Sequence, residues 1–126
     1  MSKIRFAVVV VSDSRYRQLK EGKKVDDESS PIAERVIEEK GYEVTIKEIV
    51  PDNSAKIIGI VLGLAEQDNC DVIVTIGGTG LSKRDLTVES VQKLVGKEVT
   101  GFGEIFRSLS FQKIGTASML SRAMAG

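Results

Sequence analysis

Histidine is absent from the 126-residue sequence. Without it there is no Ser-His-Asp or Cys-His nucleophile and no imidazole metal site. Any metal would be held by carboxylate and backbone oxygens, a donor set that suits a hard cation such as magnesium. A single cysteine, Cys70, excludes a disulfide framework within the chain and a thiolate zinc cluster. Aromatic residues make up only 5%, so stacking platforms for bases are few. Charge of either sign is not in excess: 18 basic residues face 18 acidic ones, and a nucleic-acid partner, which favours a basic face, is not expected. No apolar run approaches the roughly 20 residues needed to span a bilayer, and the first residues lack the charged, apolar, small-residue order of a signal peptide. The expectation is a soluble, cytoplasmic protein without a membrane partner.

What is present reads as one domain, residues 1–126, of alternating strands and helices. Residues 4–11, "IRFAVVVV", form a near-continuous apolar run rich in valine, as a strand covered on both faces does. Ser12, Asp13 and Ser14 follow as a polar loop, and the hydrophilic residues 15–28 read as a long solvated loop. Ser30 before Pro31 predicts a helix N-cap, Ile32, Ala33, Val36 and Ile37 give one apolar face, and Gly41 stops the helix. Residues 42–50 alternate as a half-exposed strand that Pro51 ends. Asp52 or Asn53 can cap a helix through about Gln67, with Ile57, Ile60 and Leu64 at helical spacing. A strand at residues 71–76 leads into "GGTGLSKRD", then a helix capped by Thr87 and running through Val95. A glycine-hinged short helix using Ile105, Phe106 and Leu109 and a final helix over "ASMLSRAMA" complete the chain. This order predicts right-handed βαβ units on a parallel sheet, with ligands beyond the carboxyl ends of the strands.

Three loops lie at those ends: Ser12, Asp13 and Ser14; Pro51, Asp52 and Asn53; and Gly77, Gly78, Thr79 and Gly80. Glycines let the backbone adopt positive φ and approach a ligand closely, and successive amides in such a turn form an anion nest. Thr79 and Ser82 add hydroxyls; Lys83 and Arg84 add positive charge. Neither of two common phosphate fingerprints, G-x-x-x-x-G-K-[ST] and G-x-G-x-x-G at a helix start, is present. An isolated glycine pair would favour a plain tight turn, but three glycines in four residues directly after a buried strand favour binding. Asp52 also reads as an N-cap, and Asp85 as a carboxylate at the positive end of a helix dipole. Cys70 reads as a packed small residue, and Met119, Met124, Phe102 and Phe106 as core or interface.

Two segments, "TIGGTGLSKRDLTVESV" and "GFGEIFRSLSFQKIGTASMLSRAMAG", strongly resemble the MoaB/Mog family of molybdenum-cofactor biosynthesis proteins, the closing block being nearer to MoaB. The opening "VSDSR" and the "PD" after the second strand belong to the same resemblance. It implies a three-layer α/β/α sandwich with a mostly parallel sheet, assembled as a homotrimer or homohexamer. It also implies binding of molybdopterin and adenylylation of its terminal phosphate by ATP and Mg2+, with release of pyrophosphate.

By resemblance, Gly77, Gly78, Thr79, Gly80 and Ser82 would bind the pterin phosphate, and Ser121 and Arg122 would line the pterin side. Asp52 and Asp85 would be the catalytic, metal-holding carboxylates, and Ser12 and Asp13 nucleotide-side contacts. A non-catalytic molybdopterin-binding or scaffolding protein of the same fold is the alternative. Two departures stand out. "DESSP" places Ser30 where the family commonly has glycine. The sequence also stops at Gly126, where the family continues through another strand, a Pro-Gly-Ser-Pro-like turn and a final helix, so that one wall of the site is expected to be missing.

Overall fold

A computed structural model describes residues 3–126. Strand β1 (Arg5–Val11) is the centre of the fold. Its last five residues, Ala7 to Val11, are all buried because both faces are covered, which is why this stretch carries no polar residue. β2 (Glu43–Val50) and β3 (Val72–Ile76) flank it in parallel, giving the order β2-β1-β3. Pairing of β1 with β2 slips by one residue between Phe6 and Ala7, and the unpaired Thr45 turns its hydroxyl to the Asn69 carbonyl (2.9 Å).

Helix α1 (Asp13–Lys20) and helix α2 (Ser29–Glu39) lie between β1 and β2, and α3 (Ser54–Glu66) lies between β2 and β3. The first crossover moves to one side of β1 and the second moves back, so right-handed connections put α2 and α3 on opposite faces. Ile57 and Leu64 of α3 are buried, and Leu64 packs with Ala7 and Val9, ringed by Ile46, Val50, Ile60, Cys70 and Ile73. The expected α/β architecture holds, and Cys70 is the packing residue its position indicated. Beyond β3 come α4 (Thr87–Gln92), α5 (Thr100–Ile114) and a 3-10 segment (Gly115–Leu120).

Five local expectations are corrected. The solvated loop at residues 15–28 is in part α1: Ser12 accepts a hydrogen bond from the Arg15 amide (3.2 Å) as its cap. Asp13 in the first turn and Arg17 and Lys20 in the last complement its dipole. Ser30 is not the cap of α2; the helix begins at Ser29, and Asp27 Oδ1 accepts the Ser30 amide (3.2 Å). Thr87 is the first residue of α4 rather than its cap, and α4 ends at Gln92. α5 has 15 residues and is not short. The expected final helix is a 3-10 segment followed by residues 121–126 without regular structure. There the Arg122 amide donates to the Thr79 carbonyl and the Ala125 carbonyl accepts from Val99 (2.7 Å), contacts a helix could not make.

Candidate active site

In the order β2-β1-β3 the strand order switches sides at β1, and the crevice beyond its carboxyl end is the place where such sheets bind ligands. All three expected loops meet there. Ser12 and Asp13 follow β1, Asp52 follows β2, and the glycine loop follows β3.

The glycine loop is held by its carbonyls. Gly77 and Gly78 have φ of 99° and 66°, a region costly for residues with a side chain. An added Cβ at Gly77 would collide with the Val11 carbonyl, and one at Gly78 with the Thr87 hydroxyl. Thr87 donates from its hydroxyl to the Gly77 carbonyl (2.8 Å) and from its amide to the Gly78 carbonyl (3.1 Å). Arg122 does the same for the next two, from its amide to Thr79 (3.1 Å) and from Nε to Gly80 (2.9 Å). In a trans peptide the N–H points opposite to the C=O it follows. The amides of Gly78, Thr79, Gly80 and Leu81 therefore point away from Thr87 and Arg122, and among the described residues no protein acceptor meets any of the four. Four successive unpaired amides could serve an anion as a nest.

Two carboxylates flank the nest, each half engaged. Asp52 Oδ1 accepts the Leu86 amide (3.0 Å), while Oδ2 faces the loop, 3.0 Å from where a Cβ on Gly78 would stand. Asp85 Oδ2 accepts the Ser82 amide (2.9 Å), and Oδ1 has no protein partner among the described residues. Asp52 is not the cap of α3; that role falls to Asn53, which accepts the Lys56 amide (3.1 Å). Partial burial pushes the Asp52 carboxyl above its ordinary value, and the charges of Asp85 and Asp13 add to this against the Leu86 amide and Arg84.

Asp13, by contrast, is fully engaged. Oδ1 accepts the Asp52 amide (3.0 Å), and Oδ2 accepts Nε (3.0 Å) and Nη2 of Arg84. Burial alone would raise its carboxyl, but Arg84, the Asp52 amide and Arg17 outweigh that and hold it below the ordinary range.

The other expected site residues have these positions. Ser12 caps α1 beside the crevice, with its hydroxyl 3.3 Å from that of Ser14. The Ser82 hydroxyl accepts the Arg84 amide (3.3 Å) at the loop's outer turn. Ser121 donates its amide to the Ser118 carbonyl (3.1 Å), ending the 3-10 segment. Arg122 lies behind the loop, bonded through Nη2 to the Asp85 carbonyl (2.9 Å) and through Nη1 to both carboxylate oxygens of Glu89. Glu89 was not legible as a site residue: its partner is 33 positions away, and no local pattern marks it. Thr87 read only as a cap, although a hydroxyl at the start of a helix beside a glycine turn also suits a carbonyl donor.

The donor set fits a magnesium ion. The free oxygens, Asp52 Oδ2 and Asp85 Oδ1, are hard ligands, and the charge of Asp85 acts on Asp52. Among the described residues no three acidic, cysteine or histidine side chains are grouped so as to hold a metal ion by themselves, so substrate phosphates and water would have to complete the coordination.

The family described as "Probable molybdopterin binding domain" matches residues 7–126. Over 123 residues the chain is 46% identical to a Methanocaldococcus jannaschii protein named "Probable molybdopterin adenylyltransferase", covering 98% of this chain and 72% of that one. A Pyrococcus furiosus "Molybdopterin adenylyltransferase" is 39% identical over 122 residues, covering 97% of this chain and 68% of that one. A crystal structure of molybdenum cofactor biosynthesis protein B superposes with a TM-score of 0.86 at 39% identity, covering 98% of this chain and 73% of that one.

Proposed function

Because the chain belongs to the molybdopterin-binding domain family of molybdenum-cofactor biosynthesis proteins, we propose that it acts as a molybdopterin adenylyltransferase. The observation that carries this reading is the row of four unpaired amides between two half-engaged carboxylates. A phosphate oxygen of molybdopterin forms a bond to the α-phosphorus of ATP as the bond to the β-phosphate oxygen breaks, and pyrophosphate leaves with the electron pair. The amides of residues 78–81 and the Ser82 region orient the pterin phosphate, which is already ionised near neutral pH, so no general base is required. Asp52 Oδ2 and Asp85 Oδ1 would hold magnesium. When bound, the ion neutralises charge on the phosphoryl oxygens.

Ser12 and Asp13, at the β1 end of the crevice, are assigned to the nucleotide side, with Ser121 toward the pterin. Phe102, Ile105, Phe106 and Leu109 of α5 are all exposed, which supports the homotrimer or homohexamer expected from the resemblance. Sedimentation of a monomer would remove that assembly. A cytoplasmic setting belongs to the same proposal; no helix among the described residues is long and apolar enough to cross a membrane. The deciding experiment mixes the protein with molybdopterin, ATP and magnesium and measures AMP on the pterin. Pterin binding without transfer would leave the scaffolding alternative.

A further inference from the structure

Arg122 is placed to organise the site from behind the glycine loop. Its guanidinium is largely committed: Nε to the Gly80 carbonyl (2.9 Å) and, more weakly, to Thr79 (3.4 Å), Nη2 to the Asp85 carbonyl (2.9 Å), and Nη1 to both oxygens of Glu89. That engages all three nitrogens, with at least one of the five N–H groups, on Nη2, left over. The carbonyls it holds are the reverse sides of peptides whose amides matter. Fixing Thr79 and Gly80 turns the amides of Gly80 and Leu81 toward the crevice. Fixing Asp85 turns the Leu86 amide the other way, onto Asp52 Oδ1 at 3.0 Å. One side chain thus sets two amides of the nest and the carboxylate opposite them.

Glu89, on α4, supplies the opposite charge and grips the single nitrogen Nη1 with both carboxylate oxygens, holding the guanidinium behind the loop. The Arg122 side chain is 29% exposed and that of Glu89 44%, so the pair is reached by water.

We infer that Arg122 and Glu89 form a positioning pair that aims the glycine-loop amides and Asp52 at a phosphate-bearing substrate, neither residue being a ligand of it. The identity of that substrate rests on the adenylyltransferase reading; the pair's role is tested separately, with inorganic pyrophosphate as the probe. The full chain, its Glu89→Gln variant and its Arg122→Lys variant are titrated by calorimetry. In parallel, the amide resonances of Gly78, Thr79, Gly80, Leu81 and Leu86 are followed by NMR.

The two roles for Arg122 give opposite signs in Glu89→Gln. If Arg122 positions the loop, loosening its anchor weakens pyrophosphate binding, by about threefold to tenfold, and moves the Leu86 resonance before any ligand is added. If Arg122 is itself an anion ligand, removing its carboxylate partner strengthens binding, and the inference is overturned. Arg122→Lys keeps the charge but has one nitrogen for three carbonyls and a carboxylate, so a loss of about tenfold is expected. Wild-type affinity in that variant would show that charge alone matters and would also overturn the inference.

A wild-type chain whose loop amides do not respond to pyrophosphate overturns it outright. Should Arg122→Lys fail to fold, the sign in Glu89→Gln still decides. A chain that binds pyrophosphate at these amides and obeys the Glu89 sign, yet transfers no AMP to molybdopterin, loses the enzymatic reading and keeps the positioning pair.

Discussion

At the amino ends of the strands, Arg5 donates to Asp71 from its amide (2.9 Å), Nε (3.2 Å) and Nη2 (3.1 Å), and from Nη1 to the Asp68 carbonyl (2.9 Å). At the carboxyl ends, Asp52 and Asp85 each accept one backbone amide and leave the other oxygen open, beside four amides with no acceptor among the described residues. Both ends use arginine and aspartate around a strand terminus. The amino end pairs them with each other and is a structural tie. The carboxyl end has one such tie, Arg84 with Asp13, but engages Asp52 and Asp85 only far enough to fix their direction. Charge and hydrogen-bonding capacity left over after such fixing is what distinguishes a site from a brace.

Substitutions at the two ends should separate along this line. The largest effect is expected for Asp85→Asn, which keeps a carbonyl-type acceptor for the Ser82 amide but removes the charge that would hold magnesium. AMP transfer should fall ~100-fold or more while pterin binding persists. Unchanged turnover would take Asp85 out of the metal site.

Next, Gly78→Ala forces a side chain onto a backbone with φ of 66° and into the Thr87 hydroxyl, and should cost about 1–3 kcal/mol in urea unfolding. Full stability in this variant would mean that the loop conformation is not as tightly set as its carbonyl contacts require.

A smaller effect, of opposite sign, is expected for Asp52→Asn. Burial raises the Asp52 carboxyl, so the ionised form is disfavoured in the fold, and the group is a liability above its folded-state pKa that protonation on acidification removes. The asparagine variant should therefore melt slightly higher than wild type at neutral pH while losing transfer. A lower melting temperature would refute this account of its burial.

The smallest effect is expected at the amino end. Hydrogen bonds from the Arg5 side chain and amide hold the Asp71 carboxyl below its ordinary value. A depressed pKa contributes stability that is present above the unfolded-state value and is lost as pH falls through the folded-state value. Asp71→Asn should flatten the acid limb of the stability curve and leave transfer unchanged. A loss of transfer would end the distinction between the two ends.

Much of this contrast was written locally. Valine after valine in β1 announced a strand with no solvent face, and the glycines after β3 announced a backbone needing room. The MoaB-like segments located the carboxylates around it. What escaped reading depends on distance or on competing local signals. α1 has no apolar stripe, since none of its residues is buried; only the Ser12 cap and the placement of Asp13, Arg17 and Lys20 signal it. The "ASMLSRAMA" stretch has helix formers throughout, but contacts of Arg122 with Thr79 and of Ala125 with Val99 outweigh propensity there. Thr87, read as a cap, spends its hydroxyl on Gly77 because the loop, not the helix, has the unmet acceptor. Glu89 has meaning only once Arg122 is folded against it.

The same long-range contact bears on the order in which the molecule becomes useful. Nε of Arg122 meets the Gly80 carbonyl across 42 positions of chain, and that closure sacrifices conformational entropy before its hydrogen bonds form. β1, by contrast, pairs with β2 through contacts that gather a hydrophobic core as they form. Refolding should thus yield a chain with a packed sheet before one whose loop amides are aimed. Pyrophosphate binding followed by stopped flow should lag behind burial of the sheet. Such a lag would be an interval in which the sheet is packed while the loop is still unable to hold a phosphate.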